Sequence, residues 1–222
     1  MANKLDKARI KENAARIKRE GYTPVVPDLQ MGFIHNNVDC IGCRACEMAC
    51  KDKNGLSAGP RFRRVQYIEG GVFPNVFAFK INMSCNHCAE PACLPACPTG
   101  AIWKRQDNGV VDIDSTLCIG CRKCEAACPF GAPQFDPEDN LVKKCNMCID
   151  ELEAGRKPYC VAACMMRVLD VGPLSEIDAG TYETKAVGPN EDLVRQVRSM
   201  ADPDLTNPSI RFVAHSKGRV DE

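Results

Sequence analysis

Long apolar runs are absent from this sequence. Asn, Lys, Gly or Pro interrupts every apolar stretch well before the roughly 18 residues that a membrane-spanning helix needs. The N-terminal segment, MANKLDKARIKENAARIKRE, is charged and contains no apolar core of the kind found in signal peptides. We therefore expect no direct membrane span and no secretory signal peptide belonging to the chain itself.

An excess of charge of either sign is also lacking. Lys and Arg together number 29, as do Asp and Glu, so the overall charge gives no support for nucleic acid as a partner. Recognisable catalytic patterns are missing too. There is no nucleophile with an evident base, no G-x-G-x-x-G or P-loop pattern, and no C-x3-C-x2-C radical motif. We predict that the chain contains no catalytic residue.

Cysteine is the residue in excess, with 16 among 222 residues. A disulfide framework, structural zinc and iron–sulfur ligation are the three common explanations. Without a signal peptide, a disulfide framework loses its usual oxidising compartment. The spacing of the cysteines therefore has to decide. They fall into four groups: Cys40, Cys43, Cys46 and Cys50; Cys85, Cys88, Cys93 and Cys97; Cys118, Cys121, Cys124 and Cys128; Cys145, Cys148, Cys160 and Cys164.

Groups one and three follow the pattern C-x2-C-x2-C-x3-C. In that pattern three thiolates converge on one iron–sulfur cluster, while the fourth ligates a neighbouring cluster. Tetrahedral zinc instead prefers two separated pairs, so zinc is disfavoured for the whole set, although the pair Cys145 and Cys148 alone is ambiguous. Cys46 and Cys50 lie four residues apart, which predicts one helical turn bridging two adjacent clusters.

The order of the groups predicts how they pair. Groups two and three are joined by AIWKRQDNGVVDID, which predicts a hairpin turning at 107–109 and gives the layout of a bacterial two-cluster ferredoxin. Exchange of fourth cysteines pairs group two with group three, and groups one and four pair by elimination. The predicted ligand sets are Cys40, Cys43, Cys46 and Cys164 for set one; Cys85, Cys88, Cys93 and Cys128 for set two; Cys118, Cys121, Cys124 and Cys97 for set three; Cys145, Cys148, Cys160 and Cys50 for set four.

The predicted fold class is α+β, with two nested 2[4Fe-4S] ferredoxin-like modules built from short hairpins and helices, plus extended terminal arms. The predicted boundaries are 1–38 for a basic arm and leading strand, 39–84 with 140–172 for the outer module, 85–139 for the inner module and 173–222 for a C-terminal docking tail. Residues 2–20 read as a basic amphipathic helix, either solvated or docked to a partner. The tail, packed on the core or on another subunit, contains one predicted helix, Glu191–Met200.

Several residues near the ligands carry expectations of their own. Gly42 and Gly120 should allow close approach of the backbone to sulfur, and His87 should be a hydrogen-bonding residue behind the ligands rather than a ligand. Trp103 and the methionines are expected to pack around the clusters. Five cations either offset cluster charge or are ordinary solvated side chains: Arg44, Arg122, Lys123, Lys143 and Lys144. The methionines are Met48, Met83, Met147, Met165 and Met166.

Three segments resemble a known family: SCNHCAEPACLPACPTGAIWKR, DSTLCIGCRKCEAACPFGAPQ and KKCNMCIDELEAGRKPYCVAAC. They are similar to the four-cluster iron–sulfur subunit of the dimethyl sulfoxide reductase family of molybdopterin oxidoreductases, including the long insertion between Cys148 and Cys160. The resemblance implies four [4Fe-4S] clusters that relay electrons. The molybdopterin cofactor, a molybdenum or tungsten bis-pterin, would lie only in a partner catalytic subunit. An integral membrane anchor that reacts with quinol, or another redox partner, would complete the complex.

The resemblance has further implications. A related nitrate reductase subunit has Trp where this sequence has Cys121, so a [4Fe-4S] cluster is expected there. Met165 and Lys51 stand where relatives commonly have Pro, which affects the tuning of the outer pair rather than its existence. The cluster of Cys40 would face the catalytic subunit. The chain would be peripheral to the cell membrane through its partners, on either side if a twin-arginine partner exports it, and otherwise cytoplasmic. A free-standing soluble polyferredoxin is the alternative, against which the extended termini argue.

Overall fold

The structure is a computed structural model, and it describes residues 6–20, 27–189 and 191–220. Of the predicted arm at 1–38, residues 1–5 and 21–26 lie outside the described residues. The fold is mixed α+β, with short helices and small sheets, in agreement with the predicted class. Within the described ranges, no helix has both the length and the apolarity needed to cross a bilayer.

The secondary structure is distributed along the whole described chain. The helices are α1 (Lys7–Glu20), α2 (Ala45–Lys53), α3 (Lys123–Ala127), α4 (Ile149–Glu153), α5 (Tyr159–Ala162) and α6 (Leu174–Asp178). The strands are β1 (Met31–Asn36), β2 (Arg64–Val72), β3 (Asn75–Met83), β4 (Ile102–Lys104), β5 (Val111–Ile113), β6 (Gln134–Asp136), β7 (Leu141–Lys143), β8 (Leu169–Pro173), β9 (Leu193–Val194) and β10 (Ile210–Val213).

The largest sheet joins distant parts of the sequence in the order β8-β1-β10-β9. Strand β1 pairs antiparallel with β8 and parallel with β10, so Phe33 lies between Val171 and Ile210. These three side chains are buried and form part of the main core. Because β9 and β10 both belong to the segment after 173, that segment packs on this chain's own core.

The predicted helix Glu191–Met200 is wrong. Leu193 and Val194 form the edge strand β9 and pair antiparallel with Val213 and Phe212 of β10. The local sequence has helix-compatible periodicity, but strand pairing with a buried neighbour outweighs that weak preference.

Three hairpins account for the remaining strands: β2 with β3, β4 with β5, and β6 with β7. The hairpin predicted around 107–109 is confirmed, since β4 and β5 pair antiparallel with Ile102 opposite Ile113, and Gly109 has a φ of 68°. Strand alternation buries Ile102 and Lys104 and turns Trp103 outward. Trp103, which was expected to pack around the clusters, is therefore 44% exposed instead.

Helix α1 confirms the helical interpretation of the N-terminal arm over its described length. Ile10 packs against the cluster of buried residues around groups two and three. Arg9 forms an ion pair with Asp114 at 3.1 Å, and the Asp6 amide donates to the Thr116 carbonyl at 3.1 Å. The helix thus lies on the surface of this chain, with its charged face exposed.

Candidate iron–sulfur centres

The first and third cysteine loops share the same pattern of left-handed backbone conformations. Gly42 and Arg44 in the first loop, and Gly120 and Arg122 in the third, have φ values between 61° and 72°. These left-handed residues curl each loop so that its sulfurs turn inward, and a helix follows at once, α2 after Arg44 and α3 after Arg122. The Gly positions tolerate this conformation without the steric cost that other residues bear. The repeat seen in the cysteine spacing is therefore also a repeat in the backbone.

Set one lines a single cavity. Its walls include Cys40, Cys43, Cys46 and Cys164. Cys164 comes from the end of the fourth group, far from the other three in the sequence, so the structure brings together thiols that only the predicted exchange would unite.

Sets two and three line two further cavities. One is bounded by Cys85, Cys88, Cys93 and Cys128. The other is bounded by Cys97, Cys118, Cys121 and Cys124. In both cases three cysteines of one group meet the fourth cysteine of the other, which is the exchange that the spacing predicted.

Set four gathers next to set one. Burial raises the pKa of the Cys50 thiol to about 12, and the adjacent Cys160 and Cys148 thiols act in the same direction. Cys145 is buried, which raises the pKa of its thiol, and Cys50 and Cys160 add to that effect. The structure therefore also brings the fourth predicted set together, although ligation by all four sets stays a prediction.

The thiols fit an iron–sulfur cluster in number and chemistry. All sixteen are free cysteines, and deprotonated thiolates are soft ligands suited to Fe–S clusters and zinc. Each of the three cavities is lined by four of these thiols, the number of ligands that one cubane cluster takes. In the part of the chain that the structure describes, no three His, Cys, Asp or Glu side chains form a site for a single metal ion.

Burial makes the metal-free thiols weak acids. It raises the pKa of Cys46 to about 11 and the pKa of Cys88 and Cys124 to about 12. Thiols with such values are protonated near neutral pH. Because the ligand is the thiolate, metal uptake at these positions must release protons.

Amide groups donate hydrogen bonds to several of the sulfurs. The side-chain amide of Asn82 donates to Cys46 Sγ at 3.1 Å. Backbone amides donate to Cys97 Sγ from Ala101 at 3.3 Å and to Cys145 Sγ from Met147 at 3.3 Å. Such bonds stabilise negative charge on sulfur and raise the reduction potential of a cluster bound there.

Three buried cations lie among the cysteine sets: Arg63, Lys104 and Lys144, each 5% exposed or less. Lys104 donates to the Cys88 carbonyl at 2.8 Å, and burial lowers its pKa to about 8. Lys144 donates to the carbonyls of Val111 and Cys145. Sequence reasoning flagged Lys144 but missed the other two. The burial of Lys104 could have been predicted, because strand alternation places it on the same face as the apolar Ile102. Nothing in the sequence indicated the burial of Arg63.

The other four flagged cations are surface residues. Arg122 pairs with Glu125 at 2.7 Å and Lys143 with Asp136 at 2.9 Å. Arg44 lies 4.0 Å from Glu47, and Lys123 is exposed. The solvated alternative is therefore correct for Arg44, Arg122 and Lys123, whereas Lys143 is partly buried beside the buried Asp136.

The methionines also divide into buried and exposed residues. Met83 and Met147 are buried in the main core, as expected. Met166 lines the cavity of set one while remaining partly exposed. Met48 and Met165, also expected to pack around the clusters, are instead about two-thirds exposed. Met48 lies on the outward face of α2, and Met165 follows the last ligand in a surface turn.

His87 is a hydrogen-bonding residue, as predicted. Its buried ring accepts a hydrogen bond at Nδ1 from the Val111 amide at 3.0 Å. Burial lowers the pKa of the imidazole well below its usual value, with further contributions from Lys144 and Lys104. The neutral ring therefore carries its proton on Nε2, and its backbone, with a φ of 43°, shapes the loop between Cys85 and Cys88.

A segment far from the motifs holds that same loop. The amides of Ala89 and Glu90 donate to the carbonyls of Asn207 and Thr206 at 2.8 Å and 3.1 Å. Ser209 donates back to the carbonyls at 86 and 87 through its amide and hydroxyl. Sequence reasoning missed this clamp, which we define as residues 206–209, because nothing in its sequence marks the contact.

Known proteins match this chain over the same motifs. The sequence model of the 4Fe-4S dicluster domain matches residues 76–174. The B subunit of anaerobic dimethyl sulfoxide reductase from Escherichia coli K12 is 43% identical over 168 residues, covering 72% of this chain and 82% of the relative. The protein of the same name from Haemophilus influenzae is 41% identical over 190 residues, covering 82% and 87%. The thiosulfate reductase electron transfer subunit PhsB from Salmonella typhi is 40% identical over 151 residues, covering 66% and 78%.

The matches and the geometry agree. The relatives are subunits of reductases, one of them named for electron transfer, and the family model describes 4Fe-4S binding. This chain has the thiols, arranged around cavities, that such binding requires. It is an iron–sulfur protein of electron transport, and it belongs to the family of 4Fe-4S subunits that includes the B subunit of anaerobic dimethyl sulfoxide reductase.

Proposed function

We propose that this chain relays electrons through four [4Fe-4S] clusters between a catalytic subunit, which holds a molybdenum or tungsten bis-pterin, and a second redox partner. The observation that carries the proposal is the arrangement of sixteen thiols as four neighbouring sets. Clusters bound there would accept and release single electrons. The chain itself would fix their order, spacing and exposure.

The order of the sets follows from their shared neighbours. Helices α2 and α5 pack together. Helix α2 carries Cys46 and Cys50, while α5 carries Cys160 and is followed two residues after its end by Cys164, so that both pairs serve sets one and four alternately. Cys145 of set four lies near Cys85 of set two. Sets two and three share the short segments 93–97 and 124–128. The resulting series is set one, set four, set two and set three.

Exposure differs along this series. Cys43 of set one and Cys121 of set three are exposed, whereas all four cysteines of set four are buried. A redox partner could therefore approach either end of the series. Buried cysteines between the ends would keep the inner clusters away from solvent.

The finer assignments form part of the same proposal. The sets support two nested ferredoxin-like modules, with 85–139 inside a module made from 39–84 and 140–172, followed by a docking tail. The names of the relatives support a reductase as the complex. By analogy, set one would face the catalytic subunit, and an integral membrane anchor would hold the chain peripherally at a membrane.

Purification of the native protein under anaerobic conditions tests this proposal. We expect a stable complex larger than the 24.4 kDa chain, containing a second chain with bound pterin and molybdenum or tungsten. An iron-loaded protein that migrates alone and exchanges electrons with several enzymes would instead support the polyferredoxin alternative. One observation favours that alternative: both the described N-terminal helix and the tail pack on this chain's own core, so the extended termini no longer argue for a partner.

A further inference from the structure

Arg63 is the most deeply buried cation of the described structure, at 1% exposure. It lies immediately before β2, and its guanidinium stacks over the Phe33 ring with 4.5 Å to the ring centroid. Nη1 donates to Asn82 Oδ1 at 3.1 Å, and Nη2 donates to Ser84 Oγ at 3.0 Å. All of these contacts are with neutral groups.

A buried guanidinium requires a counter-charge, because removing an unpaired charge from water costs several kcal/mol. Among the carboxylates that the structure describes, none forms an ion pair with Arg63. The groups around it that can become negative are cysteine thiols from two sets, which are thiolates when they bind a cluster. Although desolvation alone would lower the pKa of Arg63, these cysteines in their charged form raise it above its ordinary value. They are Cys46 of set one and Cys50, Cys145 and Cys160 of set four.

One hydrogen-bonded side chain links this charge directly to a sulfur. The Asn82 carbonyl accepts from Arg63, while its amide nitrogen donates to Cys46 Sγ at 3.1 Å. An amide that accepts from a cation is polarised and becomes a stronger donor at its other end. Arg63 therefore acts on set one through Asn82, and on set four across space.

We propose that Arg63 is a positioning residue that supplies the shared counter-charge for sets one and four and raises the reduction potentials of the clusters bound there, with Asn82 passing the effect to Cys46. The inference rests on the proposed clusters. Reduction of a cluster adds one negative charge, and a fixed positive charge in a poorly screened interior stabilises the reduced form more than the oxidised form.

The test is an EPR-monitored redox titration of the intact, cluster-loaded protein or its native complex. Signals are first assigned to sets with single Cys→Ser variants at Cys164, Cys128, Cys97 and Cys50. Arg63→Met should then lower the midpoint potentials assigned to sets one and four and leave those of sets two and three unchanged. Asn82→Leu should lower the potential of set one more than that of set four.

Lys104→Met is the matched control, because it also removes a buried cation but one that contacts the loop of set two. It should lower the potential of set two and leave sets one and four unchanged. Arg63→Lys keeps the charge, so it should fall nearer to wild type than Arg63→Met, and it provides the comparison if Arg63→Met fails to load iron. Unchanged potentials for sets one and four in the loaded Arg63 variants, or an equal shift of all four, would overturn the inference.

The same preparations separate this inference from the proposed function. Wild-type protein with about sixteen iron atoms per chain and four assignable signals supports the clusters, whatever Arg63 does. Wild-type protein without those signals removes the clusters, and the role of Arg63 falls with them.

Discussion

Cys46 and Cys50 lie one turn apart on the same face of α2, yet they belong to different thiol sets. Cys46 lines the cavity with Cys40, Cys43 and Cys164, whereas Cys50 lies against Cys160 and Cys148. A single helical turn therefore ties two cluster sites together. Cys160 on α5 and Cys164, two residues after the end of that helix, link the same two sets in the opposite order, so the relative position of sets one and four is fixed twice.

This relationship predicts different losses for two neighbouring substitutions. Cys46→Ser should disturb the cluster of set one, and Cys50→Ser the cluster of set four, because each removes one thiolate from a different set. EPR spectra of the reduced variants, together with iron analysis, would show one altered signal in each case. Loss of the same signal in both variants would contradict the exchange of fourth cysteines.

The two loop glycines should differ in their tolerance of substitution. Both have positive φ, so Ala at either position costs about 1 kcal/mol or more from backbone strain alone. A Cβ on Gly120 would also clash with the Asn140 backbone carbonyl, while one on Gly42 would clash with the end of the Tyr67 side chain. We therefore expect Gly120→Ala to lower the thermal midpoint and iron content more than Gly42→Ala.

A double variant sharpens that comparison. Tyr67→Phe removes the hydroxyl that a Cβ on Gly42 would meet, at the cost of its hydrogen bond to the Gly42 carbonyl. Gly42→Ala should therefore be less harmful in the Tyr67→Phe background than in wild type. Equal losses at Gly42 and Gly120 would show that strain in φ, rather than the space around Cβ, sets the effect.

The clamp at 206–209 should tune set two. The buried Thr206 hydroxyl lies beside Cys88, and although burial dominates, it lowers the pKa of that thiol. Removing the hydroxyl takes away a dipole that favours negative charge on sulfur. Thr206→Val should lower the midpoint potential assigned to set two, as measured by redox titration.

The exposed Thr181 provides the control for that substitution, since its hydroxyl donates only to the Glu176 carbonyl. Thr181→Val should leave all the potentials unchanged. If Thr206→Val shifts none of them either, the clamp acts only by holding the loop in place.

Removal of iron should abolish cooperative folding. Without clusters, Arg63, Lys104 and Lys144 would be buried cations lacking the thiolate charge that surrounds them, and ligation would no longer contribute folding free energy. Circular dichroism melts of protein before and after anaerobic chelation would test this. Persistence of the same cooperative transition in iron-free protein would contradict the prediction.

Cysteine spacing was enough to predict which thiols meet, because each C-x2-C-x2-C loop is local and only a few exchanges of the fourth cysteine remain. The hairpin at 107–109 was predictable for the same reason. Non-local strand pairing could not be predicted in this way. The segment at 191–200 contains β9, rather than a helix, because it pairs with β10. Arg63 gave no signal, since its burial depends on Asn82 and Ser84, which lie on the other strand of its hairpin or just beyond it.

Metal analysis of anaerobically purified protein tests the central claim most directly. Four clusters require about sixteen iron atoms and a similar amount of acid-labile sulfide per chain. The account predicts that result, with the broad visible absorption of iron–sulfide charge transfer. A colourless protein with about four zinc ions and no sulfide would contradict it.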